Sequence, residues 1–316
     1  RGYEGYTRFS DALLAGGNIK DTGPRGRFSS AWKPITMRDM WQTRKKTTVF
    51  FFRGDSIRVA LVSDDVVEKT QEFSLAADAS LTEVFGEAVR LYGKRGKVIC
   101  GEGLSYVFSL QLEKKSLNDM DFLRKLCAER FPEDIENLVW DYRILETRGS
   151  SVYIQVSGMR RDFGEKLAEA FERWDFFSEC TVPESYALAQ RFLGQGNVLL
   201  CQKQEKKVLF CHIGFGGVFA SQLSSQPETD AVGFLGYVRL HALNMIEKVI
   251  YVDFKGKKDF FPFENGLERE YLKLPFGAVL GVCQLRSRLR RNADVLDLRV
   301  PRRRFSFREY FGKSIL

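Results

Sequence analysis

Histidine is nearly absent. The 316 residues hold two, His212 and His241, far apart in sequence, so no zinc signature can be built. Cysteine is sparse and scattered: Cys100, Cys127, Cys180, Cys201, Cys211 and Cys283 form no Cys-x-x-Cys pair. Four of them sit inside apolar strand or helix patterns, which reads as reduced core cysteines of a cytoplasmic protein rather than a disulfide framework. No run of about 18 apolar residues occurs, so the chain as given does not span a membrane. The first 30 residues are rich in Gly and Arg without an apolar core, so no signal peptide is read there.

What is present is two domains' worth of chain, 44% hydrophobic and with 27 phenylalanines, enough to bury real cores. The net charge of +8 is unevenly placed: residues 1–46 carry +6, residues 286–308 carry +7, and the remainder is −5. An acidic body with basic flanks argues against a nucleic-acid-binding body and for basic tails that meet an anionic surface.

Residues 1–46 lack sustained periodicity, and Gly2, Gly5, Gly16, Gly17, Gly23, Pro24 and Gly26 break any helix. A disordered basic extension is expected. The chain starts with Arg, which reads as a fragment, a processed product or a mis-set start, with Met37 or Met40 a natural start before the first strand. From Thr47 the pattern predicts a β-β-β-α-β unit: TTVFFF, a tight turn at Arg53-Gly54-Asp55-Ser56, IRVALVS, a strand from Val66 to Leu75, a helix from Leu81 to Tyr92 and a strand from Lys97 to Cys100. Ser80 and Glu83 read as a capping box, with Val84, Ala88 and Leu91 on the inner face.

An α+β block follows: a strand at Tyr106–Leu112, a helix at Leu117–Phe131, a strand pair at Leu138–Leu145 and Ser151–Ser157, and a helix at Phe163–Trp174. The helix residues Phe122, Leu126 and Arg130 are spaced by four, with Leu123 and Cys127 beside them. Glu184–Leu193 is a short helix. Val198–Gln204, Val208–Ile213 and Val218–Leu223 read as three successive strands, with Gly214, Gly216 and Gly217 permitting a tight reversal. Beyond them come a loop to Gly233, a helix at Phe234–Ile246, a buried strand at Val249–Val252, an irregular stretch from Lys255 to Leu274, and a helix from Pro275 to about Arg291.

The segments FPEDIENLVWDYRIL, VYIQVSGMRRDFGEKLAEAFERWDFFSECTVPESYALAQRFL and AVLGVCQLRSRLR, in that order, resemble PilM and the cytoplasmic part of the type II secretion L protein over about 49–301. The resemblance implies an α/β, actin-like (ribonuclease H-like) fold of two lobes. The first lobe would span 47–193 with an inserted α+β subdomain at about 105–180, the second, reduced lobe 194–292, and a basic juxtamembrane-like tail 293–316. It also marks vestigial nucleotide-loop positions. In the first phosphate loop, Phe52 stands where the family has a metal-positioning aspartate, followed by Gly54, Asp55, Ser56 and Arg58. In the second, His212 replaces an aspartate ahead of Gly214. On the adenosine side, Gly256 is what remains of a Gly-Gly pair. A magnesium-phosphate site needs carboxylates near the metal and glycines at the phosphate. The expectation is therefore no enzymatic activity and no cofactor, with magnesium and ATP the alternative kept open. Asp55 as a relocated metal ligand and His212 as a general base are weighed against a turn residue and a packed core histidine.

In pilus systems PilM holds a short peptide of its membrane partner, and in the secretion L protein the two are fused. Here Val295, Leu296, Leu298 and Pro301 are similar to that peptide. Arg302, Arg303 and Arg304 follow, as a juxtamembrane segment requires; each basic charge near anionic lipid contributes about 1 kcal/mol. A membrane span after Leu316 is expected. The implied role is a cytoplasmic scaffold at the bacterial inner membrane. It would couple a secretion or pilus motor ATPase to platform proteins similar to PilN and PilO or to secretion protein M, with self-association a further expectation. The alternatives are an actin-like ATPase switch and an RNA-binding protein using the Arg-rich tail with Phe305, Phe307, Tyr310 and Phe311.

Overall fold

The structure, a computed structural model, describes residues 46–75, 80–214, 217–241, 245–254 and 267–285. The expectations for residues 1–45, for Gly256 and for the tail lie outside them. In chain order the elements begin with strands β1 (Thr47–Phe52), β2 (Ser56–Ser63) and β3 (Val66–Ser74), helix α1 (Leu81–Tyr92), and strands β4 (Arg95–Cys100) and β5 (Ser105–Glu113). Helix α2 (Met120–Ala128), strands β6 (Leu138–Arg148) and β7 (Ser151–Arg160), helix α3 (Arg161–Arg173), strand β8 (Phe177–Pro183) and helix α4 (Glu184–Ala189) follow. The rest is β9 (Val198–Gln204), β10 (Lys207–Gly214), β11 (Gly217–Ser224), α5 (Pro227–His241), β12 (Lys248–Val252), β13 (Glu268–Leu272) and α6 (Gly277–Gln284).

Two sheets carry these strands. The first has the order β3-β2-β1-β4-β8 and the second β13-β12-β9-β10-β11-β5-β7-β6. The β1–β2–β3 meander is antiparallel, whereas β4 pairs parallel with both β1 and β8. The block at about 105–180 is divided between the sheets. Its strands β5–β7 extend the second sheet through a β11–β5 contact at Ala220 and Phe108, while β8 joins the first.

Alternation of apolar residues decides which layer each face meets. On β1, Val49 and Phe51 face a core shared with Leu200, Leu209 and Ile250 of the second sheet and with α4 and α6, which lie between the lobes. Phe50 and Phe52 face the other way, into an aromatic layer with Phe85 and Phe176 under α1 and α3. The second sheet packs Phe210 and Tyr251 against α5, and β5 to β7 close a fourth core over α2.

Several local expectations are corrected. Ser80 is the residue before α1, but its side chain makes no capping hydrogen bond. The buried face of α1 runs through Phe85, Ala88 and Val89, leaving Leu91 60% exposed. In α2, Leu123 and Cys127 face inward and Phe122 outward. α5 begins seven residues before the expected Phe234. Pro227 opens it, Glu228 and Asp230 favour its positive end, and Gln226 N–H donates to Ser224 Oγ just before it. The stretch read as irregular contains β13, which is parallel to β12 and whose charged outer residues suit an edge strand. α6 stops at Gln284, with Leu285 already extended.

Candidate functional site

A cleft of about 330 Å³ opens between the lobes. The first lobe contributes Phe51, Arg53 and Arg58; the second contributes Gln202 to Glu205 and Asp253; the entry and first turn of α6 and Glu184 of α4 complete the wall. Its charged side chains are mostly committed to protein partners. Arg53 lies over the Phe51 ring at 5.0 Å and reaches across to Glu205 at 3.5 Å, tying the β1–β2 turn to the β9–β10 turn. Arg58 pairs with Glu72 at 3.1 Å, and Ser56 Oγ donates to the same carboxylate at 2.8 Å. Burial pushes the Glu72 carboxyl up, but the Ser56 and Arg58 hydrogen bonds and the charges of Arg58 and Arg53 outweigh it and leave it below its ordinary value. Asp253 Oδ1 accepts from Leu274 N–H at 2.8 Å.

Of the predicted nucleotide-loop positions, Arg58 lines this cleft, whereas Phe52 and His212 do not. Phe52 is fully buried on the opposite face of β1, with its ring 5.6 Å from Phe85 and 6.0 Å from Phe163. His212 is 1% exposed and alternates with Val208 and Phe210, the face of β10 that meets α5 rather than the cleft. Neither ring nitrogen has a protein partner, and burial pushes its pKa down to about 4. Its closest ring neighbour of note is Phe219 at 5.5 Å. Gly54 sits in open space. Asp55 accepts from Ser56 Oγ at 3.3 Å, as a turn residue does. Gly214 and Gly217 are needed for packing: a Cβ would fall 2.6 Å from Asn197 Oδ1 at the first and 2.5 Å from Gln155 Oε1 at the second. At both positions the Cβ direction is filled by a side-chain amide of the protein.

A second group, which the sequence reading missed, sits at the base of the cleft. Glu184 is 3% exposed; its Oε1 accepts from Gln204 Nε2 at 2.7 Å and its Oε2 from Glu102 N–H at 3.4 Å. Glu102 Oε1 accepts from Ser185 N–H at 3.1 Å and Oε2 from Ser221 Oγ at 3.4 Å. Burial pushes the Glu184 pKa up to about 7, and the adjacent Glu102 carboxyl adds to the shift. Burial also raises Glu102, against the hydrogen bonds of Ser185 and Ser221. Beside them Gln202, 7% exposed and lining the cleft, leaves its Oε1 without a protein partner. The only sequence signals were a glutamate opening an apolar helix and another between two glycines.

A magnesium-bound triphosphate does not fit these residues. Of the carboxylates lining the cleft, Glu205 and Asp253 are engaged, and burial holds the Glu184 carboxyl above the usual carboxylate range. Among the described residues, no group of three or more His, Cys, Asp or Glu side chains is placed to hold a metal ion.

The architecture has counterparts among solved structures. The cytoplasmic domain of EpsL, an inner-membrane component of the Vibrio cholerae type II secretion system, superposes with a TM-score of 0.58 at 9% identity, over 81% of this chain and 99% of that one. The fold is actin-like. The PilM–PilN type IV pilus biogenesis complex matches with a TM-score of 0.53 at 13% identity, over 74% of this chain and 90% of that one. No protein-family model matches the sequence, and no curated protein does. The cleft lies between the two sheets.

Proposed function

We propose that the chain is a non-enzymatic scaffold of a type II secretion or type IV pilus inner-membrane platform, coupling a motor ATPase to membrane components. The observation that carries this reading is the cleft. An actin-like body whose cleft residues are occupied with each other has kept the architecture without the carboxylates that hold magnesium. The likeness to EpsL across nearly all of that domain points to the same class of machine. The body would sit at the cytoplasmic face of the membrane. Val295, Leu296, Leu298 and Pro301 would serve as the tail peptide held on the body, and Arg302 to Arg304 would meet anionic lipid.

Purification of the full chain from its own cells tests this. The expected co-purifying proteins are a hexameric motor ATPase and single-span platform proteins of the same machine. Recovery of a nucleotide-processing complex or of RNA instead would overturn it. Deletion of residues 294–304 should lower binding to vesicles containing phosphatidylserine by ten-fold or more. Equal binding by the deleted chain would remove the tail from the account.

A further inference from the structure

The joint between the lobes is polar at one place. Glu102 lies in the connection from β4 of the first lobe to β5 of the second, and Glu184 opens α4 directly after β8 of the first. Their four carboxyl oxygens accept from Ser185 N–H, Ser221 Oγ on β11, Gln204 Nε2 on β9 and the backbone of Glu102 itself. Two carboxyl groups thus share one set of neighbours in a mostly apolar interlobe core. The charge that acts on Glu184 from outside the pair is Arg53, already shared with Glu205. From β10 the pair faces Cys211, a thiol that burial keeps neutral. Arg58, Lys203, Glu205 and Asp253 line the adjoining cleft.

We propose that Glu102 and Glu184 form a proton-operated latch between the two lobes. With one carboxyl protonated, the pair fastens the start of α4 and the loop after β4 onto β9 and β11; with both ionised the two repel each other and release that joint. Two adjacent carboxylates with little compensating charge cannot both ionise without cost. The Glu184 pKa of about 7 places the change near neutrality. Glu184 sets the latch in the wall of the interlobe cleft.

Hydrogen–deuterium exchange on the full chain, corrected for the intrinsic rate at each pH, reads this directly. Between pH 5 and pH 8, peptides covering 98–104, 184–190 and 198–204 should gain at least ten-fold in opening, while peptides of β6 and β7 serve as the internal control and do not. The Glu102→Gln/Glu184→Gln double variant should show a flat profile in the same peptides. A uniform change across the chain, no change in the wild type, or a double variant with the wild-type pH response would each overturn the latch. If the double variant fails to fold, the segment-resolved wild-type profile still decides. None of these outcomes depends on the scaffold role.

Discussion

At the residue scale, Gly281 shows why a glycine can be indispensable without touching a ligand. A Cβ there would lie 1.9 Å from the Ala187 carbonyl oxygen, so α4 and α6 can pack only if position 281 is bare. Gly281→Ala should cost about 1–3 kcal/mol or more, because the clash is with backbone that cannot rotate away. Urea unfolding midpoints measure this, and an unchanged midpoint would mean that the two helices do not meet there. His212 and Glu184 make opposite contributions to pH dependence. The histidine, pushed down to about 4 from 6.5, contributes stability that is full above 6.5 and lost as pH falls toward 4. Glu184, pushed up to about 7 from 4.5, contributes stability that is full below 4.5 and lost as pH rises to 7. Between 4.5 and 6.5 the two slopes offset each other. His212→Leu should therefore uncover a stability that falls with pH across that window, which melting temperatures from pH 4.5 to 7 would reveal. A variant as flat as the wild type would contradict the burial argument.

At the element scale, α6 depends on a strand of the other lobe. Lys97, 4% exposed in β4, donates through Nζ to the Val282 carbonyl at 2.9 Å, to Cys283 at 3.3 Å and to Leu285, so its charge caps the negative end of the helix. Lys97→Met keeps the apolar stem and removes these charge-assisted bonds. It should cost about 2–3 kcal/mol and fray the last turn of α6 before the rest, seen as faster amide exchange at 282–285. Retained protection there would show that packing alone holds the helix. This lysine also explains part of what the sequence hid. Inside Arg-Gly-Lys-Val-Ile-Cys it looks like a solvated residue at a strand start, and only the fold brings the α6 carbonyls to it. The strands of the central hairpins and the helices from Leu81 and Phe163 were legible because their periodicity is local. The face of α1 was not, since Trp174 packs so tightly against Gly86 that a Cβ would clash with its ring, drawing the neighbouring turn inward. The start of α5 was hidden because its first turn is polar, and β13 because its partner is parallel and distant in sequence.

At the scale of the whole molecule, the order of short signatures made the actin-like architecture legible, while the chemistry of the cleft was only half so. The resemblance sets Phe52 and His212 where the family has aspartates. That both side chains point away from the cleft, and that Arg53, Glu205, Glu102 and Glu184 join the lobes in its wall, follows from strand parity and three-dimensional closure. On the proposed scaffold reading, the cleft is joined by its own side chains and does not serve a nucleotide. Calorimetric titration of magnesium-ATP into the full chain tests it most directly. The account predicts no binding heat and no rise in melting temperature at millimolar nucleotide; micromolar binding would contradict it and return a nucleotide switch to first place.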